Sequence, residues 1–236
     1  MTRRQIISTE LGGLTRLRLV READGTPRLR IDQGVLAARV TRVGGASLSC
    51  SLLSTVATLL GGDRITLEVE VAAGLTLDLS DVSALVAYHG RGRSASFDAR
   101  LTVGPGAVLR WHSQPLVVCD GADVRRTLVA DLAADSGLFL DETVVLGRHG
   151  ETGGVLDSQV TITGQDGVLL VERLGYHGDG DPDQERFLRP GRRIRTRSAF
   201  GRCAEELLAG PDEVLFEVAG GGRLIRSFGD AGDSVG

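Results

Sequence analysis

Lysine is missing from the sequence: every one of the 27 basic residues is arginine, set against 31 acidic ones for a formal net charge of −4. Arginine forks suit carboxylate partners and interfaces, although so complete a skew reads first as a genome-composition effect. A chain with this balance has no bulk electrostatic pull toward nucleic acid. Aromatic residues make up only 4% of the chain, too few to build base-stacking platforms. Three cysteines, Cys50, Cys119 and Cys203, are an odd number without CxxC spacing, which argues against a disulfide framework and a thiolate zinc site. No stretch approaches the roughly 18 apolar residues of a membrane span. The opening "MTRRQIISTE" is followed by no apolar leader run. The expectation is a reduced, cytoplasmic protein with neither nucleic acid nor membrane as partner.

Catalytic signatures are equally scarce. The four histidines, His89, His112, His149 and His177, form no HxH or HExxH pair. No serine sits in GxSxG, and no glycine fingerprint joins a strand to a helix as a dinucleotide site requires.

What the sequence does contain is strands. "TRLRLV", "TLEVEV", "LTLDLS", "ARLTV", "AVLRWH" and "QVTITG" alternate apolar with polar side chains, the period that gives a sheet one buried face. Thirty-three glycines, about twice the usual share, punctuate them. Helical signals are few: Cys203 to Ala209, ended by Gly210-Pro211, and a weaker stretch from Asp183 to Leu188. Turn glycines recur at Gly74, Gly106, Gly137 and Gly167, at intervals of 32, 31 and 30 residues. Each copy is a strand, a small turn and another strand, read here as successive hairpins laid side by side. The fold class expected is mainly β: one large domain of stacked antiparallel hairpins and sheets over residues 1–228, with about two short helices. Residues 229–236 read as a disordered tail. The basic run Arg186 to Arg197 reads as an exposed loop, or as a seat for an anionic partner.

Gly61-Gly62-Asp63 interrupts an apolar run just before a strand. It lacks the lysine and hydroxyl of a phosphate loop, so on its own it is a turn fixed by the aspartate. Glu142 in "LFLDETVVLG" and Glu172 in "GVLLVERLGY" are carboxylates inside apolar strands. If they point inward they need partners, and Arg148 and Arg173 are nearby. They read either as structural ion pairs or solvent-facing positions, or as members of a polar interior path. Trp111, the single tryptophan, anchors a core or an interface. His149 and Glu151, two apart on a strand, would share a face. With a remote histidine such as His112 they give an alternative reading, a small cupin-like β-barrel metal enzyme.

In order along the chain stand Gly61, Gly62 and Asp63; Trp111, Gln114 and Pro115; Asp120, Gly121 and Ala122; Gly147, Arg148, Gly150 and Glu151; and Glu172 with Arg173. This succession, over roughly residues 34 to 178, resembles the UreD (UreH) family of urease accessory proteins. The chain departs from the family pattern in "LSDVSALVAYHG", which keeps mainly Tyr88, and in "WHSQP". The resemblance implies a mostly β fold, no catalysis and no tightly bound cofactor. It implies partners in the urease apoprotein, a UreF-type helical accessory protein and a UreG-type GTPase, with nickel in transit. On that footing Asp63, Glu142 and Glu172 would hand on a hydrated nickel ion. Gly61, Gly62, Tyr88, Trp111, Asp120, Arg148, Glu151 and Arg173 would serve partner binding or the fold.

Overall fold

The computed structural model describes residues 12–55, 59–178, 192–211 and 213–229. Among them run β1 (Gly12–Arg21), β2 (Pro27–Asp32), β3 (Leu36–Gly44), β4 (Ser47–Ser54), β5 (Arg64–Val71), β6 (Thr76–Asp81), β7 (Leu85–Ala87), β8 (Ala95–Val103) and β9 (Val108–His112). There follow β10 (Leu116–Val118), β11 (Asp123–Leu132), β12 (Gly137–Leu146), β13 (Val155–Gly164), β14 (Gly167–His177), β15 (Arg193–Gly201), β16 (Leu215–Val218) and β17 (Gly222–Gly229). One sheet has seven strands in the order β14-β13-β11-β8-β5-β1-β2. The other has ten, along β16-β17-β15-β12-β9-β6-β4-β3, with β10 beside β12 and β7 beside β10.

The recurring turns are corners, not hairpin tips. β5 and β6 flank Gly74 yet never pair with each other. Instead β5 pairs in parallel with β8, and β6 in parallel with β9. The same holds at Gly106, between β8 and β9, and near Gly137, between β11 and β12. Each interval of about thirty residues is therefore one coil of a β-solenoid-like stack, with one strand in each sheet. The corners stack on one another too: Gly74 N–H donates to the Pro105 carbonyl at 3.0 Å, and Gly106 N–H to that of Ala134 at 3.0 Å. Alternation and turn glycines are the same whether a strand folds back within its sheet or crosses to the opposite one, so the hairpin expectation fails here. It holds only at the fourth copy, where β13 and β14 pair antiparallel around Gly167.

In-register coils place like residues above like. Leu67, Ala99, Leu128 and Val160 form one buried row across the first sheet. Leu77, Leu109 and Leu138 form another across the second. The rows face each other and make the main core. A fully buried leucine contributes about 1.5–3 kcal/mol, so the summed rows dominate the fold.

The helical expectations are not met. Cys203–Ala209 supplies only a three-residue 3-10 turn, Ala204–Glu206, without a side-chain cap, and Leu207 is already extended. Cys203 and Leu207 are both buried over Val108, Ala199 and Ile225, forming a small second core on the outside of the second sheet. So short a segment cannot meet the nucleation cost of an α-helix. A second 3-10 turn covers Ala219–Gly221. Asp183–Leu188 lies outside the described residues, as do 230–236 of the expected tail. Among the described residues no helix is long and apolar enough to cross a membrane.

Gly61 and Gly62 turn the chain from the second sheet back to the first. A Cβ on Gly61 would stand 2.3 Å from the Gly90 carbonyl oxygen of the next coil, whereas one on Gly74, at φ +65°, would meet open space. Gly74→Ala should therefore cost about 1 kcal/mol, the left-handed penalty alone. Gly61→Ala should cost roughly 2–3 kcal/mol, because main chain must move. Urea titration of the two variants checks this, and equal losses would refute the stacked-corner account.

Candidate functional site

A cavity of about 70 Å³ lies between the sheets where β11, β13 and β14 face β12, β15 and β17. Its polar lining comes from positions where alternation demands an inward side chain. In β11 the inward row runs Val124, Arg126, Leu128, so a guanidinium takes the place beside Phe97 of β8 and Ser158 of β13. In β12 it runs Leu140, Glu142, Val144. In β14 Glu172 turns inward.

These charges find one another across the gap. Arg126 forms an ion pair with Glu142 and donates to the Ser158 hydroxyl at 3.0 Å. Arg226 of β17 donates to Glu172 at 2.6 Å and to the Thr196 hydroxyl at 3.1 Å. Burial pulls the Arg126 guanidinium down to about 10, with the Glu172 charge acting the other way. It therefore stays charged at neutral pH. The expected partners Arg148 and Arg173 are not used: alternation sends Arg173 to the opposite face from Glu172, where it makes a two-pronged pair with Asp157 at 2.9 Å.

Asp81, at the end of β6, completes the lining. Trp111 Nε1 donates to its Oδ1 at 3.0 Å, so the single tryptophan is both core and cavity-wall residue. Burial pushes the Asp81 carboxyl up to about 6, against the hydrogen bonds from Trp111 and the Gln114 main chain. A second cavity of about 40 Å³ begins on the other side of the same residues, sharing Asp81, Leu85, Phe97 and Trp111 with the first. Just outside, on the solvent face of β12, burial favours the neutral Asp141 carboxyl. Hydrogen bonds from Arg195 and His112 outweigh it and hold the group well below the usual carboxylate range.

The remaining motif residues gather at the corners. Asp63 is buried, and its Oδ2 accepts the Leu60 N–H at 2.8 Å. It is a turn aspartate and does not line either cavity. Tyr88 follows on the next corner, partly exposed, with its N–H on the Leu59 carbonyl at 3.2 Å. Asp120 Oδ1 accepts the Thr152 and Gly153 main-chain amides at 2.9 and 2.7 Å. Arg148 binds Glu151 through its main chain and its Nε, both at 2.9 Å. The "DGA" and "GRHGE" stretches thus brace each other and hold the chain as it passes into β13.

His149, Glu151 and His112 are not brought together. His149 is exposed at the corner and Glu151 is engaged by Arg148. His112 sits on the outer face of β9, with its ring centroid 5.4 Å from that of Phe139. Among the described residues no three His, Cys, Asp or Glu side chains are grouped to hold a metal ion. Sequence reasoning named Glu142 and Glu172 but missed Arg126, Arg226 and Asp81. A charged residue at an inward position of an alternating strand was the available signal for Arg126 in "DVRRTLVA".

A buried carboxylate raised above its unfolded value binds protons more tightly in the folded state, so stability falls as pH rises from 3.8 through about 6. Asp81→Asn keeps an oxygen for Trp111 and removes that penalty. The variant should be more stable by roughly 1–3 kcal/mol near neutral pH and unchanged at about pH 4. Thermal denaturation at the two pH values tests the sign.

Beyond this geometry stand the relatives. The UreD urease accessory protein family matches residues 13–218. Urease accessory protein UreD 1 of Streptomyces griseus is 38% identical, over 76% of this chain and 69% of that protein. UreD 3 of the same organism is 33% identical over 84% and 85%. Urease accessory protein UreD of Streptomyces coelicolor is 36% identical over the same shares. With the ordered motifs, the all-β stack and relatives aligned along most of the chain, this protein belongs to the UreD family of urease accessory proteins.

Proposed function

We propose that the chain is a non-catalytic adaptor in urease maturation. It binds the urease apoprotein together with a UreF-type helical partner and a UreG-type GTPase, in the cytoplasm, and lets nickel pass toward the urease active site. Family membership is the observation that carries this reading. The relatives are named as urease accessory proteins.

The interior supports the idea of nickel as passing cargo. Both cavities set polar groups into largely apolar walls and have room for water. Glu142 and Glu172 supply hard oxygen atoms, which suit a hydrated divalent cation. Their arginine partners keep those oxygens from acting as a tight cage, as transit requires. Asp63 enters this reading only through the corner it fixes.

Co-expression of urease with its accessory proteins, with and without this chain, is the direct test, read as urease-bound nickel and urea hydrolysis. Omission should abolish most of both. Glu142→Gln and Glu172→Gln should lower nickel content while the variants still co-purify with the partners. Full nickel loading without the chain would overturn the adaptor reading, and full loading by both variants would overturn the passage.

A further inference from the structure

The two cavities touch at one place, the side chains of Asp81, Leu85, Phe97 and Trp111. Leu85 and Phe97 are apolar walls. Asp81 and Trp111 are joined across adjacent coils by the 3.0 Å bond from the indole N–H, and the Gln114 main-chain amide adds a second bond to the same carboxyl. The Trp111 indole and the Gln114 main chain, three residues apart in "WHSQP", thus both close on Asp81.

The charges around this junction are unequal. Toward the larger cavity Asp81 faces Arg126 on β11, Glu142 on β12 and Glu172 on β14. Glu142 is neutralised by Arg126, and Glu172 by Arg226. The smaller cavity adds Leu36, Leu52, Leu53, Ser54 and Ser83, none of them ionisable. Among the described residues Asp81 is the carboxylate of these cavities with no ion-pair partner. Burial makes the ionised form of Asp81 costly, so a cation reaching the junction near neutral pH would offset that charge and compete with the indole for the oxygen.

We propose that the Asp81–Trp111 hydrogen bond is a gate between the two cavities, and that a hydrated divalent cation opens it by taking the Asp81 carboxylate from the indole. The inference rests on the passage reading above. While the bond is made, the indole partitions the interior. When the carboxylate turns to the cation, the indole is released and the two cavities become one.

Trp111 is the only tryptophan, so its fluorescence reports the gate without a label. In the untagged full-length chain, nickel(II) alone should quench the emission saturably near neutral pH. The saturable quench should be lost at about pH 4.5, where Asp81 holds its proton. Asp81→Asn should lose it at both pH values while keeping the native circular dichroism, whereas His149→Ala should retain it. A saturable quench that persists in Asp81→Asn, or that is the same at both pH values, overturns the gate, as does an emission that nickel leaves unchanged. The two readings fail separately: lost quenching with nickel loading still dependent on Glu142 and Glu172 sinks the gate alone. Asp81-dependent quenching with loading independent of those glutamates sinks the passage and leaves a cation-responsive Asp81.

Discussion

The parallel, in-register pairing of one coil on the next is the constraint on which the molecule depends. Once Arg64 pairs with Ser96 and Val124 with Ala95, every second residue of each strand is committed to the interior. A slip of one position would turn whole rows of leucine and valine to solvent. The stacked corners, with Gly61 against Gly90 and Gly154 against Ala122, lock that register at the sheet edges. An ionisable group at an inward position cannot escape to water by a small adjustment, and Arg126, Glu142 and Glu172 are bound to meet between the sheets.

The interior charges follow from this confinement. A buried guanidinium or carboxylate left alone would cost several kcal/mol, and the structure answers with two crosswise pairs, Arg126 to Glu142 and Arg226 to Glu172. Removing one partner strands the other, which is why such pairs resist piecemeal change. Asp81 is handled differently, with neutral donors and a carboxyl that favours its proton.

Much of this was legible in the sequence. Strand alternation from "TRLRLV" to "QVTITG" marks the buried faces correctly because period two depends on local chain geometry. The thirty-residue interval is real as well. What alternation cannot encode is the partner of each strand, so Gly74 reads equally as hairpin tip or coil corner. The pairing of Glu142 with Arg126, sixteen residues away, and of Glu172 with Arg226, fifty-four away, was hidden for the same reason. Asp81 ends its strand next to a run of small residues and looks like turn chemistry. Only the neighbouring coil, which brings Trp111 against it, reveals otherwise. The "CAEELLA" stretch shows the reverse case: good local helix formers in a segment too short to nucleate, with Cys203 and Leu207 packed against Ile225 and Ala199 instead.

The uniform spacing of the coils bears on how the chain reaches this state. Arg64 and Ser96 are 32 residues apart and Asp123 and Val155 likewise, so each docking in the middle of the stack closes a loop of similar length and similar entropy. The ends differ: Gly12 reaches Arg64 across 52 residues, and Val145 reaches Arg193 across 48. Loop closure therefore favours a nascent central block of coils, onto which the two outer flanks are laid later. The larger cavity draws its lining from both, with Arg126 and Ser158 on the central coils and Ile194, Thr196 and Leu224 on β15 and β17, so one of its walls belongs to the strands whose docking closes the longer loop.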